Sequence, residues 1–332
     1  MKDIPLTVLM AVGNDERYIE KAMASILRQS FGDFEFLIVD DASSDATMRI
    51  VAGFADARVR VLTNAEHLGL TRSLNAGLRQ ARGTYIARMD GDDLSCPTRL
   101  EKQIAFLRDN PGCGLVGVGY KTIDERGCPL DEGRAFASGI DLKRALDECN
   151  QFAHASVMFP LEAVAAVGGY REFFFYAQDY DLFLRIAEKY SIALIPEILF
   201  ARRLRLDSVS IRYKVLQDRF AAAARESARR RRAGLPDPAA AAVGGAAADD
   251  AAKASGLLPS KREKRAFAAE GFFAGALYFK NHRNGYAHRT VYVARLLARS
   301  LLSAPPVFFR LACRHATRFT ARILRTGGKR KR

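Results

Sequence analysis

The stretch Phe34-Glu35-Phe36-Leu37-Ile38-Val39 runs straight into Asp40-Asp41-Ala42-Ser43-Ser44-Asp45. An apolar run interrupted only by Glu35 is what a strand covered on both faces looks like, and its abrupt acidic end marks where the chain leaves the core. The pattern returns farther on, where Tyr85 to Met89 ends in Asp90-Gly91-Asp92-Asp93. Between and around these two runs, Leu6 to Val12 reads as a strand. Glu16 to Gln29 reads as a helix, with Ile19, Ala22, Met23, Ile26 and Leu27 at helical spacing. Ser43, Ser44 and Asp45 offer N-cap chemistry to a helix from about Ala46. Val59 to Leu62 is a third strand, Leu70 to Ala81 a helix, and Pro97 opens another as a first-turn proline. This alternation predicts an α/β domain with a mainly parallel sheet.

Beyond Asn110-Pro111-Gly112 the pattern loosens. Strands are expected near Leu115 to Val118, Ser156 to Phe159 and Leu199 to Leu206, with helices from Leu161 and from Asp179, so the sheet is expected to be mixed. Tyr213 to Arg232 reads as a helix ending in four arginines, Arg229 to Arg232. The segment from Gly234 to Ala248 is rich in Ala, Gly and Pro and reads as a break. The expected division is a catalytic domain over 1–212, a helix and linker over 213–250, and a basic helical extension over 251–332.

Composition narrows the class. The chain has 332 residues, 49% hydrophobic and 27% charged, which excludes disorder throughout. No apolar stretch is long enough to span a bilayer and no signal-peptide pattern follows Met1, so a cytoplasmic protein is expected. Five scattered cysteines without a C-x-x-C pair read as reduced thiols. The net charge of +15 is unevenly spread: residues 201–332 carry 30 Lys and Arg against 8 Asp and Glu, leaving 22 against 29 in residues 1–200. That asymmetry points to a mildly acidic working part with a basic appendage that meets an anionic surface, rather than to a nucleic-acid binder.

The two acidic strand ends carry the chemistry. In open α/β sheets ligands bind beyond the carboxyl ends of the strands, so both clusters can face one crevice. Carboxylates without a neighbouring lysine are hard oxygen ligands suited to Mn²⁺ or Mg²⁺, which bind through one or two carboxylates plus substrate phosphates. Taken singly, each cluster reads equally well as a turn with helix caps.

The run from Pro5 to Leu107, with Asp40-Asp41-x-Ser43-x-Asp45 and Tyr85-Ile86-Ala87-Arg88-Met89-Asp90-Gly91-Asp92-Asp93, resembles the inverting glycosyltransferase family 2 of the bacterial surface-polysaccharide type. The resemblance extends over roughly residues 5–210. It implies the nucleotide-sugar-binding fold called GT-A, a nucleoside diphosphate sugar as donor and a growing, lipid-linked glycan as acceptor. It implies that Asp41 contacts the nucleotide base, with Asp40 beside it. Asp90-Gly91-Asp92 would hold the metal, Asp92 as direct ligand, and Asp93 would belong to the nucleotide-sugar site. Tyr176-Ala177-Gln178-Asp179-Tyr180-Asp181-Leu182 resembles the segment carrying the catalytic base, a role that falls on Asp179. By spacing alone Asp179 reads as an N-cap, and Asp181 as the i,i+4 partner of Arg185. His154, near the start of a strand, is a further candidate. Gly168-Gly169-Tyr170 resembles a family segment and reads as a tight turn needing glycine. Two departures stand out. Gly13 occupies the place of the usual base-stacking tyrosine, which leaves the base open, and Arg205 stands where the family has a late histidine, able to meet phosphate.

In the basic part, Tyr286 to Leu301 places Val293, Leu296, Leu297 and Leu301 on one face, and Arg310, Arg314, Arg318 and Arg322 then recur every four residues. A basic stripe beside an apolar one, extended by Lys329 to Arg332, predicts docking on an anionic membrane surface, with the protein peripheral on its inner face. The plainer alternative is a helical appendage packed on the domain. A different class of protein, a basic nucleic-acid- or lipid-binding chain with a non-catalytic α/β scaffold, is opposed by the intact Asp41, Asp92 and Asp179. No nucleic-acid partner is expected.

Overall fold

The computed structural model describes residues 4–133, 141–205, 208, 212–240, 252, 257–258, 261–281 and 287–312. The first half alternates β1 (Leu6–Val12), α1 (Ile19–Leu27), β2 (Phe34–Asp40), α2 (Thr47–Ala52), β3 (Val59–Thr63), α3 (Leu70–Gln80) and β4 (Tyr85–Asp90). There follow β5 (Leu94–Ser95), α4 (Arg99–Asp109), β6 (Cys113–Ile123), α5 (Leu142–Glu148), β7 (Met158–Pro160), α6 (Leu161–Ala165), α7 (Gln178–Lys189) and β8 (Ser191–Arg203). The remaining helices are α8 (Lys214–Arg232), α9 (Lys261–Asn281) and α10 (Ala287–Ser303).

The eight strands form one sheet in the order β3-β2-β1-β4-β7-β6-β8-β5. β3, β2, β1 and β4 are parallel; β7 runs antiparallel between β4 and β6, and β8 pairs parallel with β6 and antiparallel with β5. The expected mainly parallel, mixed sheet is what forms. β1 and β2 are buried along their whole length, so each could only be apolar or internally paired. Glu35 shows the second solution. Its carboxylate accepts from Thr7 Oγ1 at 2.6 Å and from the Arg82 N–H at 2.6 Å, and Arg60 bonds it at 3.1 Å.

Several expectations shift. Pro97 lies ahead of α4, which begins at Arg99 with Thr98 at the cap. The last strand starts at Ser191, not Leu199, and ends at Arg203. Its first half is hidden in the sequence because Pro196 and Glu197 break the apolar pattern and because β6 and β8 slip register between Val118 and Tyr120. The chain also groups differently from the expected 1–212, 213–250 and 251–332. One compact unit comprises Met1–Arg203 with Phe220–Ala252, and the other comprises Leu204–Arg219 with Lys253–Arg332. Residues 220–240 join the first unit because Phe220 is buried among Phe173, Phe175 and Tyr176, and because the arginines that end α8 find acidic partners there.

Within the second unit, α9 and α10 lie side by side. Ser300 Oγ donates to the Ala269 carbonyl at 2.7 Å, and a Cβ on Gly275 would meet the Leu296 side chain at 3.5 Å. Phe273 meets Phe308 edge to face. No helix among the described residues is long and apolar enough to cross a membrane. The tail residues Arg314, Arg318, Arg322, Phe319 and Lys329 to Arg332 lie outside the described residues.

A turn fixes how tightly α3 returns to the sheet. At Gly83 a Cβ would stand 2.3 Å from the Thr7 nitrogen and 2.4 Å from the Leu6 carbonyl carbon, while the Gly83 N–H donates to Thr7 Oγ1 at 2.8 Å. Backbone cannot yield as a side-chain tip can, so Gly83→Ala is expected to cost about 1–3 kcal/mol in urea unfolding. An unchanged unfolding midpoint would show that the 81–84 turn moves freely.

Candidate active site

Register brings the two acidic runs to one edge. Val12 pairs with Asp40 on one side of β1, and Ala11 pairs with Asp90 on the other. Both clusters therefore leave the sheet at the carboxyl ends of neighbouring parallel strands, with only β1 between them. The loop after β1 ties them together. Asn14 Oδ1 accepts the Ser44 N–H at 2.8 Å, the Asp15 N–H donates to Thr47 Oγ1 at 2.8 Å, and a Cβ on Gly91 would lie 2.9 Å from Asp15 Oδ2.

On the β2 side, Asp40 is buried and its Oδ1 accepts the Ser43 N–H at 3.1 Å, shaping the turn in which Ala42 takes a φ of +56°. Asp45, one residue before the cap position of α2 at Ala46, accepts the Thr47 N–H at 2.9 Å. Asp41 turns toward the start of α3. It accepts the Leu68 and Gly69 N–H groups at 2.8 Å and Asn64 Nδ2 at 2.9 Å, with His67 Nδ1 at 2.9 Å. Burial acts to raise its pKa, but the hydrogen bonds from Leu68, Asn64, Gly69 and Ser73 outweigh it and hold the carboxyl below its ordinary value.

On the β4 side, Asp90, Asp92 and Asp93 each place a carboxylate oxygen within 4.8 Å of the others. The fully buried Arg88 bonds Asp90 through Nη2. Asp93 is only 2% exposed and accepts the Arg203 N–H at 2.6 Å. Burial, then the charges of Asp92 and Asp90, push its carboxyl well above the ordinary range. Arg203 also donates from Nε to the Asp92 carbonyl at 2.7 Å and from Nη1 to the Asp124 carbonyl at 2.8 Å. The sequence points to Arg205 and gives no sign of Arg203. No pattern marks Arg203 out, because most of its bonds go to main-chain carbonyls.

Asp179 sits in the first turn of α7, and the cap residue is Ala177 rather than Asp179 itself. Its Oδ2 accepts from Asn150 Nδ2 at 2.9 Å. Burial raises its pKa to about 6 against the lowering influence of nearby hydrogen bonds, and the negative charge of Asp90 adds to the rise. Tyr170 lies in the electrostatic reach of Arg88, Asp179 and Asp90 together, its hydroxyl raised chiefly by burial. The ends of β4 and α7 therefore converge on one place. Tyr170 is seated by the turn before it, where Gly168 and Gly169 have φ of +80° and +70°, as glycine permits. Asn75 grips its backbone, donating to the Tyr170 carbonyl at 2.8 Å and accepting its N–H at 3.0 Å. His154 Nε2 lies 2.8 Å from the Tyr170 hydroxyl, and burial, then the charge of Arg88, holds the imidazole well below its usual pKa. Sequence pattern singles out neither the Tyr170 hydroxyl nor Asn150 as part of a site, although the glycine pair points at the turn. Arg205 belongs to the second unit.

Asp181 is fully buried and bonds Arg185 at 2.7 Å, as the i,i+4 spacing predicts. It also bonds Arg171, which reaches Asp237 at 2.7 Å; Asp237 in turn takes Arg231 at 2.6 Å, and Arg231 takes Glu188 at 2.8 Å. This chain of alternating charges holds both ends of α7.

Comparison with known proteins follows the same lines. The family model "Glycosyl transferase family 2" matches residues 7–152. The putative glycosyltransferase EpsE of Bacillus subtilis is 36% identical over 189 residues, covering 55% of this chain and 67% of that protein. The amylovoran biosynthesis glycosyltransferase AmsE of Erwinia amylovora is 31% identical, covering 62% of this chain and 79% of that one. The chain belongs to glycosyl transferase family 2 and is a glycosyltransferase, similar to enzymes of bacterial polysaccharide biosynthesis. Among solved structures, Staphylococcus aureus TarS 1–349 in complex with UDP-GlcNAc superposes with a TM-score of 0.52 at 17% identity, covering 90% of this chain and 72% of that one. The mannosyltransferase PcManGT of Pyrobaculum calidifontis, in complex with GDP-Man and Mn²⁺, gives 0.51 at 20% identity, covering 92% and 87%. The fold is the GT-A type.

The charge chain behind α7 can be tested by pH. Asp237 is held well below the carboxylate range: burial opposes this, but Arg171, the Ala239 N–H and Arg231 outweigh it. A depressed folded-state pKa stabilises the fold above the unfolded value of about 3.9, and that stability is lost as pH falls through the folded value. Asp237→Asn is expected to cost about 1.5–3 kcal/mol at pH 7, with the gap from wild type narrowing below about pH 4 in urea titrations. A gap constant with pH would show that the carboxylate charge contributes nothing.

Proposed function

We propose that this glycosyltransferase is inverting and metal-dependent, moving a sugar from a nucleoside diphosphate sugar to a hydroxyl of a growing, lipid-linked glycan. The observation that carries the reading is the convergence of Asp90 and Asp179 around Tyr170. It places a carboxylate raised to about 6 beside a cluster of three more. Three close carboxylates with no lysine among them fit a hard, oxygen-seeking cation such as Mn²⁺ or Mg²⁺, with Asp92 and Asp90 as the protein ligands. Once bound there, the cation supplies charge stabilisation for the departing diphosphate.

This chain's own residues do the rest. Asp179 takes the proton of the attacking acceptor hydroxyl, and Asn150 fixes its orientation. Arg88 orients Asp90, and Arg203 pins the turn that presents Asp92. A single base suffices, because inverting transfer is one in-line displacement in which the diphosphate leaves without a general acid. Asp41 contacts the nucleotide base in this reading. The solved complexes of TarS with UDP-GlcNAc and of PcManGT with GDP-Man support a nucleotide-sugar donor. With Gly13 in place of a tyrosine, a panel of UDP-, GDP-, dTDP- and CDP-sugars decides the base.

Paired substitutions separate the roles. Asp179→Asn keeps the shape but cannot take a proton, so transfer is expected to fall about 10²–10⁴-fold while donor binding survives. Wild-type transfer is expected to rise with pH to about 6 and level off above, since the base works only when ionised; the bound cation opposes Asp90's influence and can only move that midpoint lower. Asp92→Asn is expected instead to weaken Mn²⁺ dependence and donor affinity together. Wild-type-like transfer by the first variant, or unchanged metal dependence in the second, removes that residue from the reaction.

The acceptor side of the reading includes peripheral docking on an anionic membrane, at the inner face of the cell membrane, through the second unit. There, exposed Arg295, Arg299 and Arg310 accompany Leu302 and Phe309, which are 82% and 59% exposed. A basic surface carrying protruding apolar side chains suits a headgroup interface, where each Lys or Arg contributes about 1 kcal/mol. The full chain is expected to bind vesicles containing anionic lipid, to bind neutral vesicles weakly, and to release as salt rises. Equal binding to both kinds of vesicle would reject the electrostatic account.

A further inference from the structure

A carboxylate offers about four acceptor positions on its two oxygens; at Asp41 three are taken by Asn64, Leu68 and Gly69, while His67 Nδ1, 3.4 Å from the Asp41 main-chain carbonyl oxygen, only stands close by. Oδ1 accepts from Asn64 Nδ2 at 2.9 Å and from the Leu68 N–H at 2.8 Å; Oδ2 accepts from the Gly69 N–H at 2.8 Å and lies 2.9 Å from His67 Nδ1. Three of these donors are fixed in place. Two are backbone amides leading into α3, and the Asn64 amide is also held by Ser73 Oγ at 2.9 Å. His67 is different: its side chain is 78% exposed, whereas that of Asp41 is 7% exposed. The imidazole is the outer cover of an otherwise enclosed carboxylate. Beside it, Gly13 leaves a face without a side chain, since a Cβ there would stand 3.9 Å from the Asp41 Cβ.

We propose that His67 is a displaceable cap on Asp41, and that a ring N–H of the donor's nucleotide base replaces His67 Nδ1 on Oδ2. The inference rests on the reading of Asp41 as the base contact. It adds the residue that must move and the class of base that can follow. An exposed polar contact exchanges with water at little cost, so the cap yields readily, whereas the three hydrogen-bonded donors, two of them main-chain amides, would not. The group arriving at Oδ2 must itself be a donor. Uracil, thymine and guanine carry a ring N–H on the pairing edge. Cytosine and adenine present a bare ring nitrogen there, whose lone pair would face the carboxylate. The open face at Gly13 leaves room for the ring to lie alongside.

Titration calorimetry with Mn²⁺ on the full chain, using UDP, dTDP, GDP, CDP and ADP as probes, tests this in three proteins: wild type, His67→Ala and Asp41→Asn. The expected result is that a nucleotide with a ring N–H binds best, and that His67→Ala tightens it about two- to five-fold without changing the order of preference. In the wild type, the imidazole ¹⁵N signals of His67, assigned by their absence from His67→Ala, should shift on saturation with that nucleotide and stay put with CDP. Unchanged or weaker binding by His67→Ala, with His67 signals unmoved, would overturn the cap. So would preferred binding of CDP or ADP. The underlying reading fails separately: if folded Asp41→Asn, checked by circular dichroism, binds every nucleotide as wild type does, Asp41 is not the base contact.

Discussion

The Asp93 carboxylate accepts the backbone N–H of a residue 110 positions away, Arg203, and the site is organised around that bond. The same arginine reaches back to the Asp92 carbonyl and across to the carbonyls of Asp124 and Glu125. The turn after β4, the end of β6 and the end of β8 are thereby locked into one corner. A turn carrying three carboxylates would otherwise be pushed open by its own charge. Burying one of them against a backbone donor, and facing another with the enclosed Arg88, keeps the loop closed in a shape suited to a ligand.

The same device recurs at α4, where buried polar side chains hold main chain. Arg99, fully enclosed, donates to the carbonyls of Ala155 and Arg88, and Gln103 to those of Val116 and Ser156. Together they staple α4 to β4 and to the entry of β7, where the sheet changes direction. Burial has a cost that shows in the charge itself: desolvation brings the Arg99 guanidinium down to about 9, although Asp93 favours its charged form.

How much of this can be read in the chain follows from the kind of interaction involved. β1, β2 and β4 are legible because strands buried on both faces leave apolar runs, and the paired acidic ends are legible because they interrupt those runs. Arg185 with Asp181 is legible because a helix fixes its own neighbours at i,i+4. Arg203 is not, since a residue serving three carbonyls from two loops follows no period. Ser191 to Ile198 is obscured by a proline and a register slip, and the arginines closing α8 look like a solvated run. In the fold Arg231 meets Glu188 and Asp237, and Arg232 meets Asp147. Long-range pairing of charges is invisible to any local pattern.

The first unit is discontinuous: the chain leaves it after Arg203 and re-enters at Phe220. That ordering bears on how the protein is made. A ribosome delivers the sheet first, and the last strand emerges well before Phe220 and Asp237 do. During that interval Arg171 lacks its outer partner and the aromatic side chains at 173–176 lack the ring of Phe220. The helix bearing Asp179 then lacks the outer half of the charge chain that runs through Asp237 and Arg231. Completion of the nascent domain therefore waits on residues that a reading of the sheet alone would have assigned to an appendage.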